Sequence, residues 1–452
     1  MPQPQTSGMS VAQGAALTIG AVLGTGVISL PAMAAGIAGP ASLVAWLALV
    51  LLSAPLALTF ARLGARYPDA GGVSTYARLA FGRRAATAVG WLFYAVVAVG
   101  APPAAAFAGG YVAELVGGSR TTTMWVAGTI VAGVAGLNWF GVRVSGRVQL
   151  GMASLLALLL TVATIAALPH ADLSHLTPFA PNGWGAVAPA AAVVVWGFAG
   201  WEAVTSLTAD YRNPARDVPR AAVVAVVVVG VLYLGVVATS ILVLGPRTGS
   251  SQAPLADVLG VAFGAPGRVV TTVVAVLLTV GAMNAYFAGA AKLGAALGRD
   301  GSLPTWFAQG GEAGQVPRRA LAVTTTLSLL SLVATALLHV EFAVSVLLAT
   351  GAFTVIYVVG TAAAVRLLPR GTWVWRGAVL SLVSVTILLA VNGIHALWTL
   401  AVAAAAFGYE TAVSRRRTRT SRRSPSSSRA SATAPYPTTT PSTADADACS
   451  VR

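Results

Sequence analysis

Long apolar runs separated by short polar loops make up nearly the whole chain, and the length of the runs sets its class. Twelve of them occur, at about 13–37, 40–61, 86–116, 122–140, 148–168, 186–208, 220–245, 268–291, 320–338, 342–366, 374–391 and 393–412. Each is close to or above the ~20 residues an α-helix needs to cross a hydrocarbon layer. In lipid only helices and closed barrels satisfy every backbone polar group. The pattern therefore predicts an all-α polytopic membrane protein of about twelve transmembrane helices. Residues 1–10 form a short N-terminal segment, 11–412 the twelve-helix domain and 413–452 a tail. The first ten residues lack a basic stretch, so the first run is expected to be a retained helix rather than a cleaved signal peptide.

Composition agrees with this and adds an orientation. Of 452 residues, 56% are hydrophobic and 9% charged, and the mean hydropathy is +0.79. No soluble globular domain approaches such values. The net charge of +15 does not point to nucleic acid, because its placement follows the membrane. Seventeen Lys and Arg residues fall in five loops on one side, from Arg62 to Arg376, against Arg120, Arg247 and Arg268 on the other. Positive loops stay inside, so both termini are expected in the cytoplasm of a protein of the cell membrane. The single cysteine, Cys449, excludes intrachain disulfides and cysteine metal clusters. The four histidines are scattered over outer loops and helix ends, so neither a metal site nor a cofactor is expected. After Ser414, two arginine clusters and a Ser/Thr/Pro/Ala tract read as a disordered cytoplasmic tail. Its arginines serve either as a topological anchor or as contacts to anionic lipid, at about 1 kcal/mol each.

Two runs are punctuated in matching ways. The first carries Gly24-Thr25-Gly26 in mid-span and Pro31 beyond it. Glycine costs about 1 kcal/mol against alanine in a helix interior and proline removes a donor, so a break near residues 24–26 is predicted. The sixth carries Trp196-Gly197-Phe198-Ala199-Gly200-Trp201-Glu202, with a second break at 197–200. Glu202 is the one carboxylate placed deep inside an apolar run. A charge there costs roughly 2.5–3.5 kcal/mol on insertion scales and marks a functional site by default. A structural role, capping amides freed by the break, is the plainer alternative. Burial and neighbouring amides act on its protonation in opposite senses, which can place its titration near physiological pH.

Paired broken helices that begin equivalent five-span halves, about 11–168 and 186–366, point to inverted repeats around a mid-membrane site, with two extra helices at about 374–412. A half-helix restarting near Val27 would aim free N–H groups and its positive end at a carboxylate. The first half of the sixth helix would end in free carbonyls suited to an ammonium or a cation. A zwitterion fits between them. Kinks are expected at Pro55 and at Pro102-Pro103. Asn284 and Tyr286 are candidates to line the cavity, with interhelical hydrogen bonding as the equal alternative.

These residues resemble the amino acid/polyamine/organocation transporter superfamily, and within it the bacterial branch that exports methionine and branched-chain amino acids. The resemblance covers about Ala12 to Tyr409 and rests on five motifs in order. They are Leu23-Gly24-Thr25-Gly26-Val27, Tyr67-Pro68-Asp69-Ala70-Gly71-Gly72-Val73, Gly90-Trp91-Leu92-Phe93, Trp196 to Glu202, and Asn213 to Ala221. It implies a five-plus-five inverted-repeat (LeuT-like) fold and alternating access around the first and sixth helices. By this likeness Gly24, Thr25 and Gly26 would bind the substrate carboxylate and Trp196 would close over the substrate. Gly197, Phe198, Ala199 and Gly200 would offer carbonyls to its ammonium, and Glu202 would serve gating or proton coupling. Some proton-coupled relatives carry a lysine in the fifth helix; run 148–168 has none, which leaves the coupling ion open between proton and sodium.

The expected function is secondary transport of neutral, apolar L-amino acids (methionine, leucine, isoleucine, valine) by proton-coupled antiport. Export rests on the resemblance. An importer of the same fold, a proton or sodium symporter, is the main alternative. An intramembrane enzyme would need a second catalytic group near Glu202, and the runs hold no obvious buried His, Asp or Cys. A receptor would leave the paired breaks unexplained.

Overall fold

Among the described residues of the computed structural model every regular element is helical, apart from one isolated parallel bridge between Met9 and Tyr211. The structure describes residues 9–24, 26–68, 72–141, 146–202, 205, 208, 211–310 and 315–423. The first half of the chain contains α1 (Val11–Leu23), α2 (Gly26–Ala38), α3 (Ser42–Arg66), α4 (Val73–Phe81), α5 (Arg83–Val116), α6 (Arg120–Trp139), α7 (Gly146–Ala167) and α8 (Val187–Val194). There follow α9 (Pro214–Leu244), α10 (Pro254–Phe263), α11 (Ala265–Arg299), α12 (Arg318–Leu337), α13 (Phe342–Leu367), α14 (Trp373–Asn392) and α15 (Leu397–Arg423).

Among the described residues, eight helical stretches are long and apolar enough to cross a membrane. Two of these, Gly26–Arg66 and Trp373–Ala412, each contain two successive helices. The shorter apolar helices Val11–Leu23 and Trp184–Phe198 are the first halves of the two expected broken spans. The protein is thus a multi-pass membrane protein. The described residues up to Glu410 form one compact unit and those from Thr411 a second.

The first break falls where the glycines predict it, between Leu23 and Gly26. Pro31 lies inside α2, which continues through it. Likewise α3 runs unbroken through Pro55 and α5 through Pro102 and Pro103. Neighbouring helices hold these segments helical despite the lost donors. Two helices, α4 and α10, lie in stretches the run pattern treats as loops, because each is too short to register as a span. The tail expected to be disordered from 413 begins as helix: α15 continues to Arg423. Arginine is a good helix former and cations favour a helix C-terminus, so the basic cluster extends the helix.

Beneath the bundle the N-terminal segment is pinned. The Arg212 N–H donates to Met9 O at 3.2 Å, and Tyr211 packs with Ala15, Ala61, Val218, Ala221 and Ala222 in a small separate core. A second buried carboxylate, Glu410, takes the Arg83 guanidinium at 2.8 Å and lies near Thr87, whose hydroxyl is 3.1 Å from that of Ser302. Its position at the end of an apolar run hides this burial from a reading of the sequence.

Candidate functional site

The two helix breaks touch. At Gly24 the chain turns with φ at +28° and its N–H closes on Gly20 O at 3.2 Å, which ends α1. Past α8 the chain tightens into a single 3-10 turn, Val195–Phe198, and the Ala199 N–H donates to Trp196 O. It then swings through Gly200 at φ +125°. A β-carbon on Gly26 would lie 3.0 Å from Gly197 Cα, and one on Gly200 would lie 2.8 Å from Ala21 O. Bare backbone at both breaks is what lets them pack on each other.

Two tyrosines then close the exposed carbonyls. The Tyr233 hydroxyl, from α9, lies 2.5 Å from Gly197 O and 2.9 Å from Val22 O, so one proton serves both broken helices. Its ring packs 5.0 Å from Trp46 and 5.3 Å from Phe198. The Tyr357 hydroxyl, from α13, lies 3.1 Å from Phe198 O and 2.5 Å from Glu202 Oε2. The carbonyls of Gly197 and Phe198, expected to be open to an ammonium, are therefore covered by phenols. A buried tyrosine hydroxyl needs a partner, which was the available signal for both residues. Their partners lie on other helices and could not be read from the runs.

Removing the Tyr233 hydroxyl leaves two buried carbonyls short of a donor, at about 1–3 kcal/mol for each one stranded. Tyr233→Phe is expected to lower the melting temperature of the purified protein by several degrees and its maximal transport rate about tenfold. Unchanged values of both would show that the bridge contributes nothing.

Glu202 is 4% exposed. Its Oε2 accepts from the Gly200 N–H at 2.9 Å and from Tyr357, and no cationic side chain pairs with it among the described residues. It lies just beyond the break, bonded back onto it, and is not among the residues that line the cavity.

That cavity opens where the breaks meet α5, α11 and α13. Its void, measured at the centre of a water-sized sphere, is about 60 Å³. Of the expected residues, Gly24, Gly26, Trp196, Ala199 and Tyr286 line it, whereas Gly197, Phe198 and Gly200 do not. Thr25 lies outside the described residues. Tyr286 contributes to the lining and is 38% exposed. Asn284 points elsewhere: its side-chain oxygen accepts from Asn138 on α6 at 2.8 Å, the interhelical alternative. Trp196 stands edge-on between Phe107 and Phe353, at 6.1 and 6.4 Å. The rest of the lining is apolar, with Val96, Val97, Gly100, Ala101 and Ala104 from α5 and Met283 and Phe287 from α11. Among the described residues, no lining side chain carries a charge.

A multi-pass helical bundle with two opposed helix breaks around an uncharged cavity has the architecture of a small-molecule permease. The family described as amino acid permease matches residues 9–422, and the chain belongs to it, within the amino acid/polyamine/organocation superfamily. An uncharacterized amino acid permease, YecA of Bacillus subtilis, is 30% identical over 409 residues, 90% of this chain and 96% of the relative. The L-methionine/branched-chain amino acid exporter YjeH of Escherichia coli is 30% identical over 288 residues, 63% of this chain and 68% of the relative. The branched-chain amino acid permease BcaP of Bacillus subtilis is 37% identical over 79 residues, 18% of this chain and 16% of the relative.

Proposed function

We propose that the protein exports neutral, apolar L-amino acids such as methionine, leucine, isoleucine and valine by proton-coupled antiport through alternating access. The observation that carries this reading is the cavity, which sits at two helix breaks and has no charged residue among its described lining. A cationic or anionic side chain would be buried there without a partner, at a cost of several kcal/mol. A thioether or branched aliphatic side chain meets Met283, Phe353, Trp196 and the small residues of α5. The name of the Escherichia coli relative supports the same substrate class and the outward direction.

In this reading twelve crossings form a five-plus-five inverted repeat with two extra helices, and both termini face the cytoplasm. The substrate carboxylate sits on the amides that begin α2 at Gly26. The ammonium competes with Tyr233 and Tyr357 for Gly197 O and Phe198 O. Tyr357 has one proton and two acceptors. A charged Glu202 draws that proton away from Phe198 O and opens the carbonyl to an ammonium; a protonated Glu202 leaves the phenol to cover it. Substrate and proton thus oppose each other at one atom, as antiport requires.

Flux of labelled amino acids measured in whole cells and in inverted vesicles, under an imposed pH gradient, tests the proposal. Efflux of leucine or methionine that follows the proton gradient is expected, with arginine and glutamate excluded. Accumulation inside cells, or drive by sodium alone, would favour the importer. Truncation after Ser414 is expected to leave affinity and turnover per inserted molecule unchanged, since the tail lies outside the cavity-bearing unit. A large loss of turnover at equal surface level would show a regulatory tail.

A further inference from the structure

Several arginines of this protein lie over aromatic rings, but they divide into two kinds. Arg120, Arg318 and Arg319 each also donate a hydrogen bond to a backbone carbonyl. Arg62, Arg66 and Arg366 do not. Their guanidinium groups sit 5.7, 5.7 and 5.8 Å from the rings of Trp373, Tyr67 and Phe81, with no carboxylate and no carbonyl partner among the described residues. The Nε of Arg62 is buried and has no acceptor among the described residues.

These three arginines belong to one corner. Phe60 of α3 and Tyr357 of α13 are in ring contact at 5.8 Å, and the same helices meet again toward their C-terminal ends, where Arg62 lies over Trp373 at the start of α14 and Arg366 over Phe81 at the end of α4. At 1.5 Å per residue Arg62, Arg66 and Arg366 lie about 3, 9 and 13 Å along their helices from that ring contact. The start of α14 is tied to the same place, since Trp375 Nε1 donates to Val365 O at 3.1 Å. Arg62 must extend downward to reach Trp373, as a long cationic side chain does at a membrane boundary. Trp373 and Phe81 remain 60% and 43% exposed.

A guanidinium held against a ring is fixed in orientation and keeps its N–H fork for a planar or tetrahedral oxyanion. Three such forks, spread over about 10 Å along neighbouring helix ends, match the basic pockets between helices that hold anionic lipids. We propose that this corner, where α3, α4, α13 and α14 meet, binds the headgroup of one anionic phospholipid of the inner leaflet. The site is built from residues of the membrane domain and uses none of the tail arginines. It rests on the orientation proposed above, but its test reads lipid retention and not transport, so the two can fail separately.

The test uses the full-length protein in neutral detergent, incubated with equal amounts of phosphatidylglycerol and phosphatidylcholine and weighed intact by native mass spectrometry. One phosphatidylglycerol is expected to remain bound, at least tenfold over phosphatidylcholine. The triple variant R62Q/R66Q/R366Q should lose that preference about tenfold or more, and R318Q/R319Q should keep it. The triple lysine variant, which preserves charge and insertion, should fall between the two because it lacks the flat fork. Monodisperse elution of each variant on size exclusion confirms folding. Equal retention of both lipids, full retention by the glutamine variant, or a lysine variant equal to the wild type would overturn the proposal. Loss of all retention on truncation after Ser414 would move the lipid to the tail, and displacement by millimolar inorganic phosphate would reduce the site to a bare anion site.

Discussion

Gly200→Ala is expected to eliminate transport, although it adds a single methyl group. That methyl would lie 2.8 Å from Ala21 O, 2.9 Å from Ala21 C and 3.0 Å from Val22 N, all backbone atoms of the first broken helix. No rotamer change relieves such contacts. The residue also sits at φ +125°, where a side chain costs about 1–3 kcal/mol. Overpacking adds about 1–3 kcal/mol. Together they disfavour the closed pair of breaks by a factor of roughly thirty or more, at 1.4 kcal/mol per tenfold. Gly26→Val acts on the same contact, because its β-carbon would meet Leu30 Cδ1 at 2.9 Å and Gly197 Cα and Trp196 Cδ1 at 3.0 Å. It should abolish leucine and methionine binding in proteoliposomes while the protein still inserts. Gly289→Ala, a helical site with open space around it, should be silent in both assays. Wild-type affinity in Gly26→Val would remove the α2 amides from the binding site.

Glu202→Gln is expected to bind substrate more weakly, since its neutral amide leaves Tyr357 over Phe198 O as the protonated acid does, and still to exchange it, yet to lose concentrative transport driven by a pH gradient. The amide keeps an oxygen for the Gly200 N–H and for Tyr357. It cannot take up or release a proton, so the Tyr357 hydroxyl no longer has a charged acceptor to alternate with Phe198 O. Counterflow of labelled leucine against unlabelled leucine should persist, and its dependence on pH between 5 and 8, the range a coupling carboxylate would have to work in, should flatten. Accumulation against a gradient with wild-type pH dependence would make Glu202 a structural hydrogen-bonding residue and send the proton by another route. Tyr357→Phe separates the two ideas further: it spares the carboxylate but removes the shared proton, and coupling should weaken without loss of the titration.

Much of the site is written locally. Gly24 and Gly26 break a helix because of their own backbone freedom, and Gly197 with Gly200 does so again, so both breaks were legible from the runs that contain them. Glu202 stands out for the same reason, as a charge among apolar neighbours. The α5 side of the cavity was not legible: Val96, Gly100, Ala101 and Ala104 are ordinary members of an apolar run until Trp196 is laid across them. Asn284 and Tyr286 show the limit well. They lie two residues apart on α11, and one faces Asn138 while the other faces the cavity.

The sequence by itself determined the membrane class, the positions of both helix breaks, the buried carboxylate between apolar neighbours and the family. All of these follow from hydropathy, from the local hydrogen-bond ladder, or from short motifs. Tertiary structure alone decided that the breaks touch through Gly26 and Gly200, that Tyr233 ties them with one hydroxyl, that Tyr357 stands between Glu202 and Phe198 O, and that Glu410 is buried against Arg83. The reason is physical. Helices that are apolar on every side carry no amphipathic stripe to show which face turns inward. In lipid their rotation is set by close packing and by a few polar contacts between helices, which no single run contains.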